Sequence, residues 1–176
     1  TDWAERWRTF HRPSRAGPFW IGPSWEGAPD DAITIVIDPG LAFGTGAHAT
    51  TRLCLELLAE VPPGSLLDAG CGSGVLAIAA LRLGAAHAVA YDIDPQALTA
   101  TLDNAAANGV AQALTIANEA PQAPLAADLL LANILSGPLC ELAPRLAALL
   151  KPDGELVLAG LLEEVLAAGR EDEVGA

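Results

Sequence analysis

The residues best suited to do chemistry in this chain lie in three places: a glycine-rich run at 68–74, an acid at 92 and an asparagine at 133. The run reads Asp68-Ala69-Gly70-Cys71-Gly72-Ser73-Gly74; it follows an apolar stretch and precedes a helical one. Gly70 and Gly72 let the backbone turn sharply and let a ligand lie against bare main chain. The helix start behind them offers unpaired N–H groups. Asp92 ends the next apolar stretch, where a carboxylate suits a two-point grip on ribose hydroxyls. Glycines and acid together predict a nucleoside-containing cofactor, in preference to a structural turn beside a solvated acid. A dinucleotide pattern, G-x-G-x-x-G, needs its third glycine at the place held by Val75; the glycine stands instead at Gly74, which speaks against a nicotinamide.

Asn133 closes the apolar run Leu130-Leu131-Ala132-Asn133. Strand carboxyl ends line the ligand crevice of open α/β sheets, so its amide oxygen could accept from a substrate amine and aim the lone pair. The alternative is an asparagine that caps the following loop. Upstream, residues 38–52 carry Gly40, Gly44 and Gly46 beside Phe43 and Thr45. Three glycines next to a phenylalanine favour a lid over an ordinary connection. His48 is the one titratable base in these motifs; with no acidic partner nearby in sequence, it reads as a loop histidine rather than as a general base.

These residues need a scaffold, and the pattern supplies one. Ile33, Ile35 and Ile37 alternate with Thr34 and Val36, a strand signal that ends at Asp38-Pro39-Gly40. Helix then alternates with strand: helix 49–60, strand 65–68, helix 74–83, strand 88–92, helix 95–108, a weak strand at 113–117, strand 128–133, helix 138–150 and strand 155–160. Asp94 and Pro95 open the third helix as cap and first residue, and Gly109 closes it. Repeated strand–helix units with near-continuous apolar strands predict an α/β fold with a mostly parallel sheet, helices on both faces and right-handed crossovers. Residues 1–37 differ. They hold all four tryptophans and several prolines, and read as an N-terminal arm or linker with short strands, one at 19–21. The catalytic domain is expected over 38–176.

The bulk numbers fit one soluble domain. Hydrophobic residues make up 52% of the 176, enough for a full core. No apolar run reaches the length of a membrane helix. Cys54, Cys71 and Cys140 are odd in number and form no C-x-x-C pair, so neither a disulfide framework nor a metal site is expected, and a reducing cytoplasm is the simplest compartment. The net charge of −13 argues against direct nucleic-acid binding and is compatible with a cationic protein partner, or with solubility alone.

Taken together, the motifs carry a resemblance. D-P-G-L-A-F-G-T-G-x-H-x-T-T from Asp38, D-x-G-C-G-S-G-x-L-A-I-A-A from Asp68, D-I-D-P-Q-A from Asp92 and A-N-I-L-x-G-P-L-x-E-L-A-P from Ala132 occur in order. The glycine turn resembles the first motif of the Rossmann-like methyltransferases. The whole set is similar to the bacterial methyltransferases that modify ribosomal protein L-eleven of the large subunit. The resemblance implies S-adenosyl-L-methionine as cofactor, held at Thr51, Gly70, Gly72, Asp92, Ile93 and Asn133, with Phe43, Thr45 and His48 in a loop closing over it. It implies methyl transfer to lysine and N-terminal amines of that protein by in-line displacement, with Asn133 as the catalytic, amine-orienting residue. A methyltransferase for another substrate, or a cofactor-binding piece without activity of its own, is the rival expectation. Relative to the family, the chain starts after a small substrate-binding domain and stops before a final hairpin. The last strand, 155–160, would then be an exposed apolar edge prone to self-association.

Overall fold

The computed structural model describes residues 12–38, 48–122, 125–134 and 136–160, side chains at 136–141 excepted. Within them the order is β1 (Ser14–Ala16), β2 (Phe19–Gly22), β3 (Ile33–Val36), α1 (Ala49–Glu60), β4 (Ser65–Ala69), α2 (Val75–Arg82), β5 (His87–Tyr91), α3 (Pro95–Ala107), a 3-10 turn at Ala111–Ala113, β6 (Leu114–Ala117), β7 (Ala127–Asn133), α4 (Ser136–Ala147) and β8 (Leu150–Ala159). Five strands form one sheet in the order β6-β5-β4-β7-β8, parallel throughout. The chain steps outward from β4 to β6, then returns to lay β7 on the other side of β4. Strand order therefore reverses between β4 and β7, and the carboxyl ends of strands at such a reversal are where open α/β sheets take ligands.

Side chains on a strand alternate between faces, and register decides which polar ends meet. Leu66, Ala88, Ala90, Leu129 and Leu131 are buried in one core with Leu55 and Leu58 of α1, Ile78 of α2 and Leu98 of α3. Leu67, Ala69, Val89, Tyr91, Leu130 and Ala132 face the opposite way, against Leu146 and Leu149 at the end of α4. Both sheet faces are therefore covered, and the near-continuous apolar strands follow from that. Asp68 pairs in register with Ala90 and with Leu131. Two residues further along each neighbouring strand lie Asp92 and Asn133, so all three polar groups belong to the face that carries α1, α2 and α3.

Residues 12–38 are more ordered than their prolines suggest. β1 and β2 form an antiparallel pair, and β3 joins β2 in parallel. Phe19, Ile21, Ile35 and Ile37 are buried in the same core as α1 and α2. Asn108, capping the end of α3, binds this small sheet through its side chain: its Oδ1 accepts from Val36 N at 2.8 Å and its Nδ2 donates to Val36 O at 2.7 Å.

The bounds of two elements differ most from the sequence expectation. α4 starts two residues before Pro138 and ends at Ala147 rather than at 150. β8 begins at Leu150 rather than at 155, because Leu150 bridges Ala127 before the register shifts to Leu129–Glu155. Between them Lys151-Pro152-Asp153-Gly154 bulges out, and the Lys151 ammonium holds the Asp128 carboxylate, which also accepts from Ser65 Oγ at 2.8 Å. Among the described residues β8 pairs only with β7, and β1–β3 lie in a separate sheet. Leu156 and Leu158 are partly exposed on its outer face. Residues 161–176 lie outside the described residues.

Candidate functional site

The turn after β4 is built from backbone held by its neighbours. Gly70 N and Cys71 N both donate to Tyr91 O, at 2.8 and 3.0 Å, which ties the turn to the end of β5. Gly74 N donates to Cys71 O at 2.8 Å, and α2 begins there. Gly70 has φ 77° and a Cβ on it would lie 2.0 Å from Ile134 Cγ2, so any other residue would be strained in its backbone and would have to displace the Ile134 side chain. Gly74, the N-cap of α2, has φ 79° and brings no capping side chain.

Asp68 supplies what Gly74 lacks. It is fully buried, and its Oδ2 accepts from Ala77 N at 3.2 Å, in the first turn of α2. A carboxylate there meets the positive end of the helix. Its Oδ1 has no hydrogen-bond partner among the described residues. Burial pushes the Asp68 pKa up to about 7; the Ala77 N–H opposes that rise and the nearby Asp92 charge adds to it. The same burial, with Asp68 beside it, raises Cys54 to about 11, and Cys71 is raised as well. Both thiols stay protonated at neutral pH, so neither is an activated nucleophile.

Asp92, expected to grip a ribose, braces the backbone around it. Its Oδ2 accepts from Gly72 N at 2.9 Å and its Oδ1 from Asp94 N at 3.0 Å. Each oxygen keeps a further lone pair for a ligand. Beside it Ile93 is 79% exposed, an apolar surface at the rim of a carboxylate. Asp94 caps α3, accepting from Gln96 N at 2.9 Å.

Asn133, the last residue of β7, donates through Nδ2 to Thr51 Oγ1 at 3.3 Å, and Thr51 is buried in α1. Gly160 lies so close that a Cβ on it would stand 3.3 Å from Asn133 Oδ1. The structure thus brings together Gly70, Gly72, Asp92, Thr51 and Asn133. His48 sits exposed at the N-cap of α1, where it makes no side-chain cap. Phe43 and Thr45 lie outside the described residues, as does the lid reading for 38–52 over residues 39–47.

The sequence reading passed over Thr101 and Asn104. Both are buried on α3, and they hold the carbonyls of Gly72 and Ser73 at 3.1 and 2.9 Å. The available signal was two polar residues three apart within an alanine-rich helix.

Residues 1–172 match the family described as ribosomal protein L11 methyltransferase (PrmA). The chain is 54% identical over 170 residues to the ribosomal protein L11 methyltransferase of Azotobacter vinelandii, a likeness that covers 93% of this chain and 58% of that protein. It therefore spans less than two thirds of that relative's length. Among solved structures it is similar to the ribosomal protein L11 methylase of Lactobacillus delbrueckii subsp. bulgaricus, with TM-score 0.76 and 36% identity over 92% of this chain and 84% of that one. An RNA methyltransferase from Salinibacter ruber, in complex with S-adenosyl-L-homocysteine, is 26% identical with TM-score 0.52, over 60% of this chain and 71% of that one. With the fold, the crevice and these likenesses in agreement, the chain belongs to the ribosomal protein L11 methyltransferase family.

Proposed function

We propose that this chain carries the cofactor-binding and methyl-transferring part of a cytoplasmic S-adenosyl-L-methionine-dependent N-methyltransferase acting on lysine and N-terminal amines of ribosomal protein L11. One observation carries the reading: strand register sets Asp68, Asp92 and Asn133 on one face of the sheet, around the glycine turn, at the point where strand order reverses. The residues fit the cofactor. Gly70 and Gly72, both at positive φ, leave main chain at the turn without side chains, against which a ligand can lie. Asp92 beside the exposed Ile93 offers hydrogen-bond acceptors and apolar surface together, which suits an adenosine. The Asp92 carboxylate suits a cationic ligand.

Bound S-adenosyl-L-methionine supplies a methyl group made electrophilic by its sulfonium. The chain's own part is positioning. Gly70, Gly72, Asp92 and Ile93 hold the nucleoside. Thr51 takes the Nδ2 side of the Asn133 amide and so leaves Oδ1 to accept from the substrate amine. An amine held by one N–H keeps its lone pair on a fixed line. The amine must be neutral, whereas free lysine has a pKa of about 10.4; desolvation in the crevice lowers it. Positioning and desolvation of this kind supply much of a rate without a dedicated base. The acidic surface, −13 overall, complements a cationic substrate protein.

Calorimetric titration of the chain with S-adenosyl-L-methionine, then transfer of labelled methyl groups by the full-length protein to purified L11, tests the reading. Asp92→Ala should weaken cofactor binding more than tenfold, since charged hydrogen bonds contribute roughly 1.5–3 kcal/mol each. Absence of binding, or label appearing in ribosomal RNA and not in L11, would overturn it.

A further inference from the structure

Thr101, Asn104 and Asn108 follow one another along α3 at a spacing that keeps them on one stripe of the helix. The stripe faces inward: Thr101 is 0% exposed and Asn104 7%. A buried polar group is costly unless paired, and each of these is paired to backbone distant in sequence. Thr101 Oγ1 donates to Gly72 O at 3.1 Å and lies 3.4 Å from Cys71 Sγ. Asn104 Nδ2 donates to Ser73 O at 2.9 Å. Asn108 Nδ2 donates to Asn104 O at 2.8 Å, besides its bonds to Val36. The two carbonyls taken by Thr101 and Asn104 are consecutive in the glycine turn.

We propose that Thr101 and Asn104 are positioning residues for cofactor binding, setting the Gly72–Ser73–Gly74 peptides in their ligand-ready orientation before any ligand arrives. The proposal rests on the reading of this turn as the S-adenosyl-L-methionine site. A trans peptide points its C=O and N–H in opposite directions. Drawing the carbonyl of Gly72 inward to Thr101 therefore points the following N–H the opposite way within the same plane, away from the Thr101 hydroxyl. The carbonyl of Ser73, drawn to Asn104, fixes the next peptide, whose N–H closes on Cys71 O. Glycines lose more conformational freedom on ordering than any other residue. A turn built on them gains most from neighbours that impose the order in advance, because binding then does not have to supply it. Asp92 acts from β5 on the N–H of Gly72; Thr101 acts from α3 on the C=O of the same residue. One glycine is thus held at both ends by two different elements.

The test is calorimetric titration of the 176-residue chain with S-adenosyl-L-methionine, together with amide exchange of Gly74 in the absence of ligand. Thr101→Val keeps the shape and removes the hydroxyl; Thr101→Ser keeps the hydroxyl; Asn104→Leu keeps the bulk and removes the amide. Thr101→Val and Asn104→Leu should bind about five- to tenfold more weakly, the range set by one lost buried hydrogen bond. Thr101→Ser should stay within about twofold of the parent by the same measure, and the Gly74 amide should exchange faster in Asn104→Leu. Should Asn104→Leu fail to fold, the valine and serine pair decides alone. Variants that melt at lower temperature yet bind as tightly as the parent well below melting would show a purely structural role and overturn the proposal. If the parent itself takes up no S-adenosyl-L-methionine, the functional reading falls and this inference with it.

Discussion

Asp68 is a carboxyl group removed from water with only one of its oxygens hydrogen-bonded among the described residues. Its folded pKa is about 7 against an ordinary 3.8. The native state therefore holds this proton more tightly than the unfolded chain does. Stability from this group is fully present below the unfolded pKa and is lost as pH rises through 7. At about 1.4 kcal/mol per pKa unit, the loss amounts to a few kcal/mol across that window. Asp68→Asn removes the titration, so urea unfolding of the variant should lack the decline that the parent shows between about pH 4 and 7. An unchanged slope would mean that the Asp68 charge is solvated or paired in solution. Asn133 makes a different kind of claim. Its side chain is held by Thr51 through Nδ2, so Asn133→Ala should lower methyl-transfer turnover by about tenfold or more while changing cofactor affinity by less, the signature of a contact made to the reacting amine. Equal losses in affinity and turnover would assign Asn133 to the cofactor alone.

At the scale of elements, α2 shows how the turn and its helix depend on a third element. Gly74 has φ 79°, and a Cβ there would meet Thr101 Cγ2 at 2.8 Å and Thr101 Oγ1 at 2.9 Å. Gly84, after the end of α2, has φ 105° with nothing within 4 Å. Both Gly→Ala changes carry left-handed strain of roughly 1–2 kcal/mol; only Gly74→Ala adds a collision with α3, of about 1–3 kcal/mol. Denaturant unfolding should therefore rank Gly74→Ala well below Gly84→Ala in stability, and equal losses would show that α3 yields without cost. The sheet, its helices and the glycine turn were legible in the sequence because each rests on local pattern: apolar runs, the cap and first residue at Asp94 and Pro95, and the stop at Gly109. The early start of β8 was not, because Lys151-Pro152-Asp153-Gly154 reads as a stop and only the bridge from Leu150 to Ala127 makes it part of a strand. Asp68, Asp92 and Asn133 could be placed at strand ends, but their common face depends on register between strands that the chain visits out of order. The inward stripe of α3 was hidden for a related reason. In a helix this rich in alanine, apolar contrast between faces is weak, and Thr101 and Asn104 look like solvent residues until the turn they hold is in place.

Over the whole molecule, the question is whether the tryptophan-rich stretch and the five-stranded sheet unfold as one body. Phe19 is 0% exposed and belongs to the core that also contains Leu55, Leu58, Leu66 and Ile78. Its strand, β2, pairs with β3 from Ile33 onward, and β3 is fastened to α3 through both polar atoms of the Asn108 amide. Apolar packing and a long-range hydrogen-bond bridge thus join the two sheets, and an opening of one exposes the core of the other. All four tryptophans lie in residues 1–30, whereas the four described helices begin at Ala49 or later. Among the described residues Trp20 is 6% exposed in β2, so its fluorescence reports the small sheet, and far-ultraviolet circular dichroism is dominated by the rest. The two signals should trace one coincident transition in urea, as a two-state unit requires. Phe19→Ala should shift both together, costing about 3–5 kcal/mol, a large part of the roughly 5–15 kcal/mol that holds a domain folded. Fluorescence that moves first, with circular dichroism unaffected by the substitution, would show the stretch to be an appendage that packs on the sheet without helping to hold it.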